Sequence, residues 1–371
     1  MYLELTKNGE GKFFHSERYD AFTDDGKNIS NVTFNTLDSR FCGKYLKTVT
    51  LGGAGTDPRF RRQGAIREMF NTVLEMAPER GWAVAMLHPF STAYYRKFGF
   101  EKICDHKIVK FSLDVLRDIS RCPDLKKLWD DASLEDVLTV YNRFGDTRNI
   151  MFRRFDDSRY PKDGRTDTYV WYDHQGNAAS YITLWDEKFY NVNRNTPIAL
   201  HVEELVFTTP ESLRALFGFM RMFEGEQNTI IIHNCAMAPE VDLILREYVE
   251  TEYTLVPDIM ARVLDVKAVL EANTYPDAPG QFRVRIEDNL PFTQGVWEVS
   301  YENGQGHAKK LPEDAQWDLK LPMPAFTQVV YGYEAHTAVS AAYLEGAELK
   351  NDCRDFFRAF GKKYNGLFEH F

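Results

Sequence analysis

A helical repeat of apolar residues stands between two strand-like runs within the first hundred residues. The run "KYLKTVTLGGAGT" (residues 44–56) precedes it, and the apolar run "WAVAMLH" (residues 82–88) follows it. A strand, an amphipathic helix and a buried strand in this order predict a right-handed crossover that places both strands parallel in one sheet. We expect Pro78 and Gly81 to end the helix. The residues predicted for its buried face recur at spacings of three and four: Ala65, Ile66, Met69, Phe70, Val73, Leu74 and Ala77.

A similar order recurs in the middle of the chain. "HVEELVF" (residues 201–207) predicts a strand, "TPESLRALFGFMRMF" (209–223) a capped helix, and "TIIIH" (229–233) a second strand. This helix starts with Thr209, Pro210 and Glu211, a cap that favours an acidic side chain and would not welcome an anion. We interpret the segment as a degenerate copy of the first unit.

The pattern changes again from Ala261 onward. Alternating strands "QFRVRIEDN" and "GVWEVSYENG" come first, and "PAFTQVVYGY" and "RDFFRAFGKKY" are helical segments. A chain of 371 residues is too long for one ordinary core. We therefore predict an α+β protein with three domains: residues 1–112, a degenerate second domain at 113–260, and a third at 261–371.

The composition excludes several classes of protein. Asp and Glu outnumber Lys and Arg by 55 to 45, a net charge of −10, which disfavours nucleic acid and suits a cationic partner. Five scattered cysteines form no C-x-x-C pair, so we expect neither a disulfide framework nor a metal site. No apolar leader and no membrane-length apolar run is present in the sequence. These features predict a soluble cytoplasmic protein without a membrane partner.

Positive charge nevertheless gathers where the first helix begins. The stretch "TDPRFRRQGAIREMF" (residues 56–70) contains Arg59, Arg61, Arg62 and Arg67. A helix N-terminus already exposes unpaired N–H groups and a partial positive charge, so added cations are unfavourable unless an anion binds. The upstream "GGAG" and Gly64 allow a ligand to approach the backbone closely. We predict a bound phosphate ester; a solvated basic helix start is the alternative.

Two ordered motifs resemble the GNAT superfamily of N-acetyltransferases. "RRQGA" (residues 61–65) has the R/Q-x-x-G-x-G/A form of its coenzyme-A loop, with alanine in the last place. "STAYYRKFGFE" (91–101) resembles its Tyr-x-x-x-Gly-aromatic signature. The resemblance implies that acetyl-CoA is the cosubstrate. It implies that the following residues bind it: Ala54, Gly55, Thr56, Arg61, Arg62, Gln63, Gly64, Ala65, Ile66, Arg67, Phe90 and Ser91.

A narrower resemblance covers nearly the whole chain. The order of "LHPFSTAYYRKFGFE", the second unit, "MARVLDVKAVLE" and an aromatic C-terminus is similar to the enhanced-intracellular-survival (Eis) acetyltransferases. That family has two tandem GNAT-like domains and a sterol-carrier-protein-like third domain, acetylates amines of polyamine-like compounds such as aminoglycosides, and forms hexamers or trimers. The chain departs from it at the start, since members carry a strand and two helices before the region matching "YDAFTDDGK". Those helices line the acceptor pocket in the family.

The resemblance assigns two catalytic residues. Tyr95, four residues before Gly99, would be the general acid that protonates the departing sulfur. Phe371 would supply the base through its α-carboxylate, with Glu369 and His370 as pocket-lining alternates. A free α-carboxyl has a pKa of about 3.3–3.7 in water, and burial among aromatic rings raises such a pKa. His88, at a strand end, is a further candidate base; a hydrogen-bonded structural role is the ordinary expectation for a histidine there.

Direct transfer in a ternary complex is the expected mechanism, because no Ser or Cys stands in a nucleophile elbow. Two alternatives stay open from the sequence. One is a peptide or protein N-acyltransferase. The other is a lipid or hydrophobe carrier whose GNAT core is vestigial.

Overall fold

The structure, a computed structural model, describes residues 1–10, 15–156, 158–160, 166–186, 199–245, 250–333, 337–350, 353–369 and 371. The chain forms two compact units. The first comprises residues 1–104, 257–365 and 369–371, and the second comprises residues 105–256 and 366–368. The predicted division into three domains, with boundaries after residues 112 and 260, stays a prediction.

The first hundred residues form a strand-rich layer covered by helices. Strands β1 to β4 pair antiparallel in sequence order, β4 pairs parallel with β5, and β5 pairs antiparallel with the end of β12. The predicted parallel crossover is thus confirmed. The elements are β1 (Tyr2–Glu10), β2 (His15–Phe22), β3 (Asn28–Phe41), β4 (Lys44–Thr56), α1 (Ala65–Glu75), α2 (Ala77–Arg80), β5 (Val84–Leu87), α3 (Thr92–Arg96) and β6 (Glu101–Ser112).

Helix α1 buries the face that its periodicity predicts. Met69, Phe70, Val73 and Leu74 are buried against the strands, and burying side chains of this size contributes roughly 1.5–3 kcal/mol each. The expected end of the helix needs correction. Helix α1 ends at Glu75, and Pro78 lies inside the separate short helix α2. Proline is tolerated in a first helical turn because the N–H it lacks would have no partner there. Gly81, at φ 67°, ends α2.

The second unit repeats the strand–helix–strand order. Its strands β7 to β10 pair antiparallel in sequence order, β10 pairs parallel with β11, and β11 pairs antiparallel with β6. Its core packs α4 and α5 against this sheet. The elements are β7 (Lys126–Lys127), α4 (Leu134–Gly145), β8 (Thr166–Tyr172), β9 (Ala178–Asp186), β10 (Ala199–Phe207), α5 (Pro210–Met220), β11 (Thr229–Ile232), α6 (Glu240–Ile244) and β12 (Thr251–Val263).

The remaining residues add a five-stranded sheet to the first unit. Its strand order is β15-β14-β13-β16-β17, and an aromatic cluster that includes Phe282, Phe356 and Phe360 fills its core. The protein is therefore α+β, as predicted. The elements are α7 (Val266–Ala272), β13 (Gly280–Glu287), β14 (Gly295–Glu302), β15 (Gln305–Leu311), β16 (Leu319–Pro322), α8 (Met323–Val330), α9 (Ala338–Ala341), β17 (Glu348–Leu349) and α10 (Arg354–Ala359).

Two further features concern the start of the chain and the helices. The described residues before β3 form strands β1 and β2. Across the described ranges, none of the helices combines the length and the apolar character needed to cross a membrane.

Candidate active site

Strand β4 carries a bulge at the glycines. Asn31 of β3 pairs with Gly55, whereas Thr33 pairs with Gly52, so Gly53 and Ala54 together oppose a single β3 residue. Gly53 has φ 56°, a left-handed conformation that glycine adopts without a Cβ clash. The Asn31 side chain donates to the Gly53 carbonyl at 2.6 Å and fixes the bulge. The glycine-rich sequence is therefore a bulge that turns the end of β4 away from regular pairing.

The end of β4 also separates from its parallel neighbour. The ladder between β4 and β5 ends at Thr50 and Met86, whereas β4 continues to Thr56. In this fully described stretch, the β5-facing edge of Ala54, Gly55 and Thr56 has no β5 residue paired with it. Such an edge can accept an extended ligand with amide groups in place of a strand.

Helix α1 begins beside this bulged strand. Gly64 is its N-cap, at φ 93°, and makes no side-chain capping bond. Arg62 also has a positive φ of 65°, which is uncommon for a residue other than glycine and marks local strain. The uncapped amides at Ala65 and Ile66 make an anion-binding terminus. Strain at the turn before them fits a site shaped to hold a ligand.

One of the four arginines is already neutralised. Arg59 forms a two-point ion pair with Asp57, and this pairing holds the pKa of Asp57 well below its usual range. Arg61 is exposed and donates to the Thr56 carbonyl at 3.4 Å, and Arg62, Gln63 and Arg67 are exposed at the same helix start. The charge that could meet a phosphate therefore comes from Arg61, Arg62 and Arg67.

Helix α3 positions Tyr95. The Ser91 hydroxyl caps this helix by accepting from the Tyr94 amide at 3.3 Å. Tyr95 is 5% exposed and packs against the rings of Phe70 and Phe90, at 5.8 and 5.3 Å between centroids. Burial is the main cause that raises the pKa of Tyr95 to about 12, and the neighbouring Tyr94 is a smaller one. The phenol therefore holds its proton throughout the neutral range.

Phe90 and Ser91, both predicted to bind the cofactor, stand at the start of α3. Phe90 is 77% exposed although its ring lies 5.3 Å from those of Tyr94 and Tyr95. An exposed aromatic ring beside the buried Tyr95 offers an apolar surface for a ligand to contact.

Phe371, the last residue of the sequence, lies against β4 in the same unit. A Cβ at Gly52 would be 2.8 Å from both the carbonyl carbon and an oxygen of Phe371, so its carboxyl group occupies the space that a side chain would fill. Its ring lies 4.7 Å from the imidazole of His88. The structure thus brings Phe371 to the bulged end of β4. Glu369 is half-buried, and His370 lies outside the described residues.

His88 follows β5 and has a buried carboxylate as its partner. Its Nδ1 lies 3.1 Å from Oδ1 of Asp258, a residue that is 8% exposed. Because an ionised carboxylate only accepts hydrogen bonds, we assign the proton to Nδ1. The sequence did not identify Asp258 as a site residue. The available signal was a charged residue immediately before the apolar strand end "IMARV".

The second unit has a different residue at the corresponding strand position. Its parallel ladder ends at Val202 and Ile232, so Glu204, two residues further along β10, corresponds to Gly52 of β4. Glu204 is buried and accepts from both guanidinium nitrogens of Arg154, at 2.7 and 2.8 Å. Burial raises the pKa of Glu204, but the Arg154 charge and hydrogen bonds outweigh it and leave the pKa lowered.

The start of helix α5 in the second unit carries a capping box. The Thr209 hydroxyl accepts from the Ser212 amide at 3.1 Å, and the Ser212 hydroxyl accepts from the Thr209 amide at 3.1 Å. These two bonds occupy amides that are left open at Gly64 in the first unit. The second unit therefore keeps the strand–helix–strand order, but the Glu204–Arg154 ion pair occupies the strand end and Thr209 caps the helix. Among the described residues, no group of three or more His, Cys, Asp or Glu could hold a metal ion.

Two family models match parts of the sequence. Residues 7–103 match the family model of the acetyltransferase (GNAT) domain, and residues 266–365 match that of the sterol carrier protein domain. No curated protein matches the sequence. The chain therefore carries an acetyltransferase domain and, C-terminal to it, a sterol carrier protein domain.

Several solved structures share the fold over most of the chain. A conserved protein of unknown function from Enterococcus faecalis V583, described as a probable N-acyltransferase, is 18% identical with a TM-score of 0.78 over 97% of this chain and 89% of its own. A GCN5-related N-acetyltransferase from Anabaena variabilis is 15% identical, with a TM-score of 0.80 over 95% and 89%. Eis1 from Mycobacterium abscessus is 19% identical, with a TM-score of 0.75 over 95% and 90%.

Proposed function

We propose that this N-acetyltransferase transfers the acetyl group of acetyl-CoA to a primary amine of a cationic small molecule of the polyamine or aminoglycoside kind. The observation that carries the proposal is the Phe371 carboxyl group at Gly52, on the bulged end of β4. It lies in the same unit as the uncapped helix α1 and the buried Tyr95. A proton acceptor, an anion site and a proton donor are the three groups that the reaction requires.

The cofactor would lie across the start of α1. The pyrophosphate would meet the Ala65 and Ile66 amides at Gly64, with Arg61, Arg62, Gln63 and Arg67 around it. The pantetheine arm would pair with Ala54, Gly55 and Thr56 as an added strand, which places a thioester near Phe90 and Ser91. GNAT acetyltransferases use acetyl-CoA, and the bulge and the uncapped helix start support this manner of binding here.

The transfer would occur directly between the two substrates. The amine nitrogen attacks the thioester carbonyl carbon, a C–N bond forms, and the C–S bond breaks. The Phe371 carboxylate takes the proton that the amine loses, with His88 as the alternative acceptor. Tyr95, whose raised pKa keeps it protonated, donates to the departing thiolate as negative charge develops on sulfur. Ser91 is engaged as the cap of α3, which supports direct transfer over an acyl-enzyme.

The charges at the site support a cationic acceptor. The Phe371 ring lies 4.7 Å from the imidazole of His88, whose partner is the Asp258 carboxylate. Half-buried Glu369 stands two residues before Phe371, and the chain carries a net charge of −10. Such a setting attracts ammonium groups and would orient one for deprotonation. We include a cytoplasmic location in the proposal because the scattered cysteines suit a reducing compartment, and a homo-oligomer, a hexamer or trimer, because the Eis resemblance implies it.

Two other functions have an observation in their favour. One is acyl transfer to a peptide or protein, which belongs to the N-acyltransferase class named for one solved structure of the same fold, without a stated acceptor. The other is a lipid carrier with a vestigial GNAT core, which the sterol carrier protein domain favours. The test is acetyl-CoA turnover, followed by thiol release, against polyamines, aminoglycosides and lysine peptides. Turnover with the free amines supports the proposal. Turnover confined to peptides would favour the second function, and no acetyl-CoA binding at all would favour the carrier.

A further inference from the structure

A buried arginine holds the C-terminal end of the helix that carries Tyr95. Arg262, near the end of β12, is 0% exposed, and its Nη1 donates to the carbonyl oxygen of Phe98. The Phe98 amide in turn donates to the Tyr95 carbonyl at 3.0 Å. The guanidinium is therefore connected to Tyr95 through one residue and two hydrogen bonds. A cation at the last carbonyls of a helix is also electrostatically favourable.

The same guanidinium explains why glycine follows Phe98. Gly99 has φ 79°, and a Cβ there would lie 2.5 Å from Nη1 and 2.8 Å from Cζ of Arg262. A side chain at position 99 would strain the backbone and displace the arginine. The glycine of the Tyr-x-x-x-Gly signature thus provides both the turn and the space for Arg262.

A loop of the sterol carrier protein domain holds the other side of Arg262. Nη2 lies 2.7 and 2.8 Å from the two carboxylate oxygens of Asp288 and 2.9 Å from Oδ1 of Asn289. Asp288 is itself 3% exposed and accepts from the Thr293 hydroxyl. The planar guanidinium joins Phe98 to Asp288, a geometry that the single ammonium group of a lysine would not reproduce.

We propose that Arg262 is a positioning residue for Tyr95, and that the sterol carrier protein domain contributes to acetyl transfer through Asp288. The inference rests on the proposed function, in which Tyr95 is the general acid. Arg262 fixes the turn that closes α3, and this turn sets where the Tyr95 hydroxyl meets the thioester sulfur. Small displacements of a catalytic group can cost on the order of 100-fold in rate.

The test is a double-mutant cycle between Arg262 and Tyr95. Arg262→Lys keeps the positive charge and loses the planar set of guanidinium donors, and Tyr95→Phe removes the hydroxyl proposed as the general acid. We expect Arg262→Lys to lower kcat about 10-fold in the wild-type background, a part of the roughly 10²–10⁴-fold that general acid catalysis supplies. The Kd of acetyl-CoA, measured by calorimetry, should change less than about twofold, because Arg262 contacts none of the residues that we assign to acetyl-CoA binding. In the Tyr95→Phe background, Arg262→Lys should produce no further loss.

One further variant tests the sterol carrier protein side of the contact, and another serves as a control. Asp288→Asn should reproduce the Arg262→Lys pattern from the sterol carrier side; if it fails to fold, the arginine cycle alone decides. Glu298→Gln is the matched control, since it removes the negative charge of another ion pair in the same domain, in which Arg283 Nε lies 2.7 Å from Glu298 Oε2. It should leave kcat unchanged.

The outcomes separate this inference from the proposed function. An equal loss of kcat from Arg262→Lys in both backgrounds would mean that the arginine supports only the fold and would overturn the positioning role. An unchanged kcat in Arg262→Lys would do the same. A wild-type rate in Tyr95→Phe alone would overturn the acid role itself, and the positioning role with it.

Discussion

Gly52 of strand β4 provides the space in which the carboxyl group of Phe371 lies. A Cβ at Gly52 would be 2.8 Å from the carbonyl carbon and from an oxygen of Phe371, closer than real Cβ atoms approach other heavy atoms. Both neighbouring atoms belong to the backbone, so no side-chain rotation can relieve the overlap. Residues 52 and 371 are far apart in sequence, yet the choice of glycine at one determines whether the other fits.

Gly52→Ala should therefore lower turnover by moving the Phe371 carboxyl group. Gly52 does not have a positive φ, so alanine adds steric overlap without backbone strain. We expect kcat to fall at least about 10-fold, since displacing a reacting group is costly, whereas acetyl-CoA affinity and the melting temperature change little. Gly361→Ala is the control, because a Cβ there meets nothing within 4 Å. Equal kcat values for both variants would contradict the role given to Phe371.

Appending two glycines after Phe371 tests the carboxylate more directly. The extension moves the negative charge and leaves the Phe371 ring able to stay beside His88, 4.7 Å away. If the carboxylate is the base, we expect a loss of about 10²-fold or more in kcat, the scale of one acid–base contribution. Amine acetylation is measured at saturating acetyl-CoA. An extended protein that works at the wild-type rate would rule out the carboxylate and leave His88, oriented by Asp258, as the base.

The local elements of this site were predictable, and the reason is that they depend on neighbouring residues. The buried face of α1 and the parallel strands on either side of it follow from spacing and from residue type within a few positions. The end of α1 was placed too late, at Pro78 and Gly81, because proline can start a helix as well as stop one, and Pro78 lies in the first turn of the separate helix α2. The catalytic role given to Phe371 came from the family resemblance and not from spacing or residue type.

The long-range partners were not predictable. Asp258 meets His88 across 170 residues, and Arg262 meets the Phe98 carbonyl across 164. Each is one polar residue in an otherwise apolar strand end, and no periodicity says which distant group will satisfy it. The ion pair that occupies the strand end of the second unit was unpredictable for the same reason, because Arg154 and Glu204 lie 50 residues apart in sequence.

Arg62→Glu combined with Gly64→Glu should abolish acetyl-CoA binding. The double change puts two negative charges at the uncapped start of α1, and Gly64 at φ 93° cannot accept a side chain without strain. Calorimetric titration with acetyl-CoA measures the effect. Arg59→Gln is a matched control, because Asp57 already neutralises Arg59 and its loss should weaken binding much less. An unchanged affinity for acetyl-CoA in the double variant would mean that the start of α1 does not bind the pyrophosphate.

Tyr95→Phe should lower kcat by roughly 10²–10⁴-fold, the usual contribution of general acid catalysis, with acetyl-CoA affinity nearly intact. The pH dependence follows from the direction of the pKa shift. Burial raises the pKa of Tyr95 to about 12, so the phenol keeps its proton below that value and loses it only as the pH rises through it. In wild-type enzyme, kcat should therefore show no alkaline fall between pH 7 and 10 (a window about two units below that pKa). A fall in that window that disappears in Tyr95→Phe would mean that Tyr95 ionises more easily than its burial implies. A collapsed melting transition in Tyr95→Phe, without a specific loss of kcat in the folded fraction, would instead assign the ring to core packing against Phe70 and Phe90.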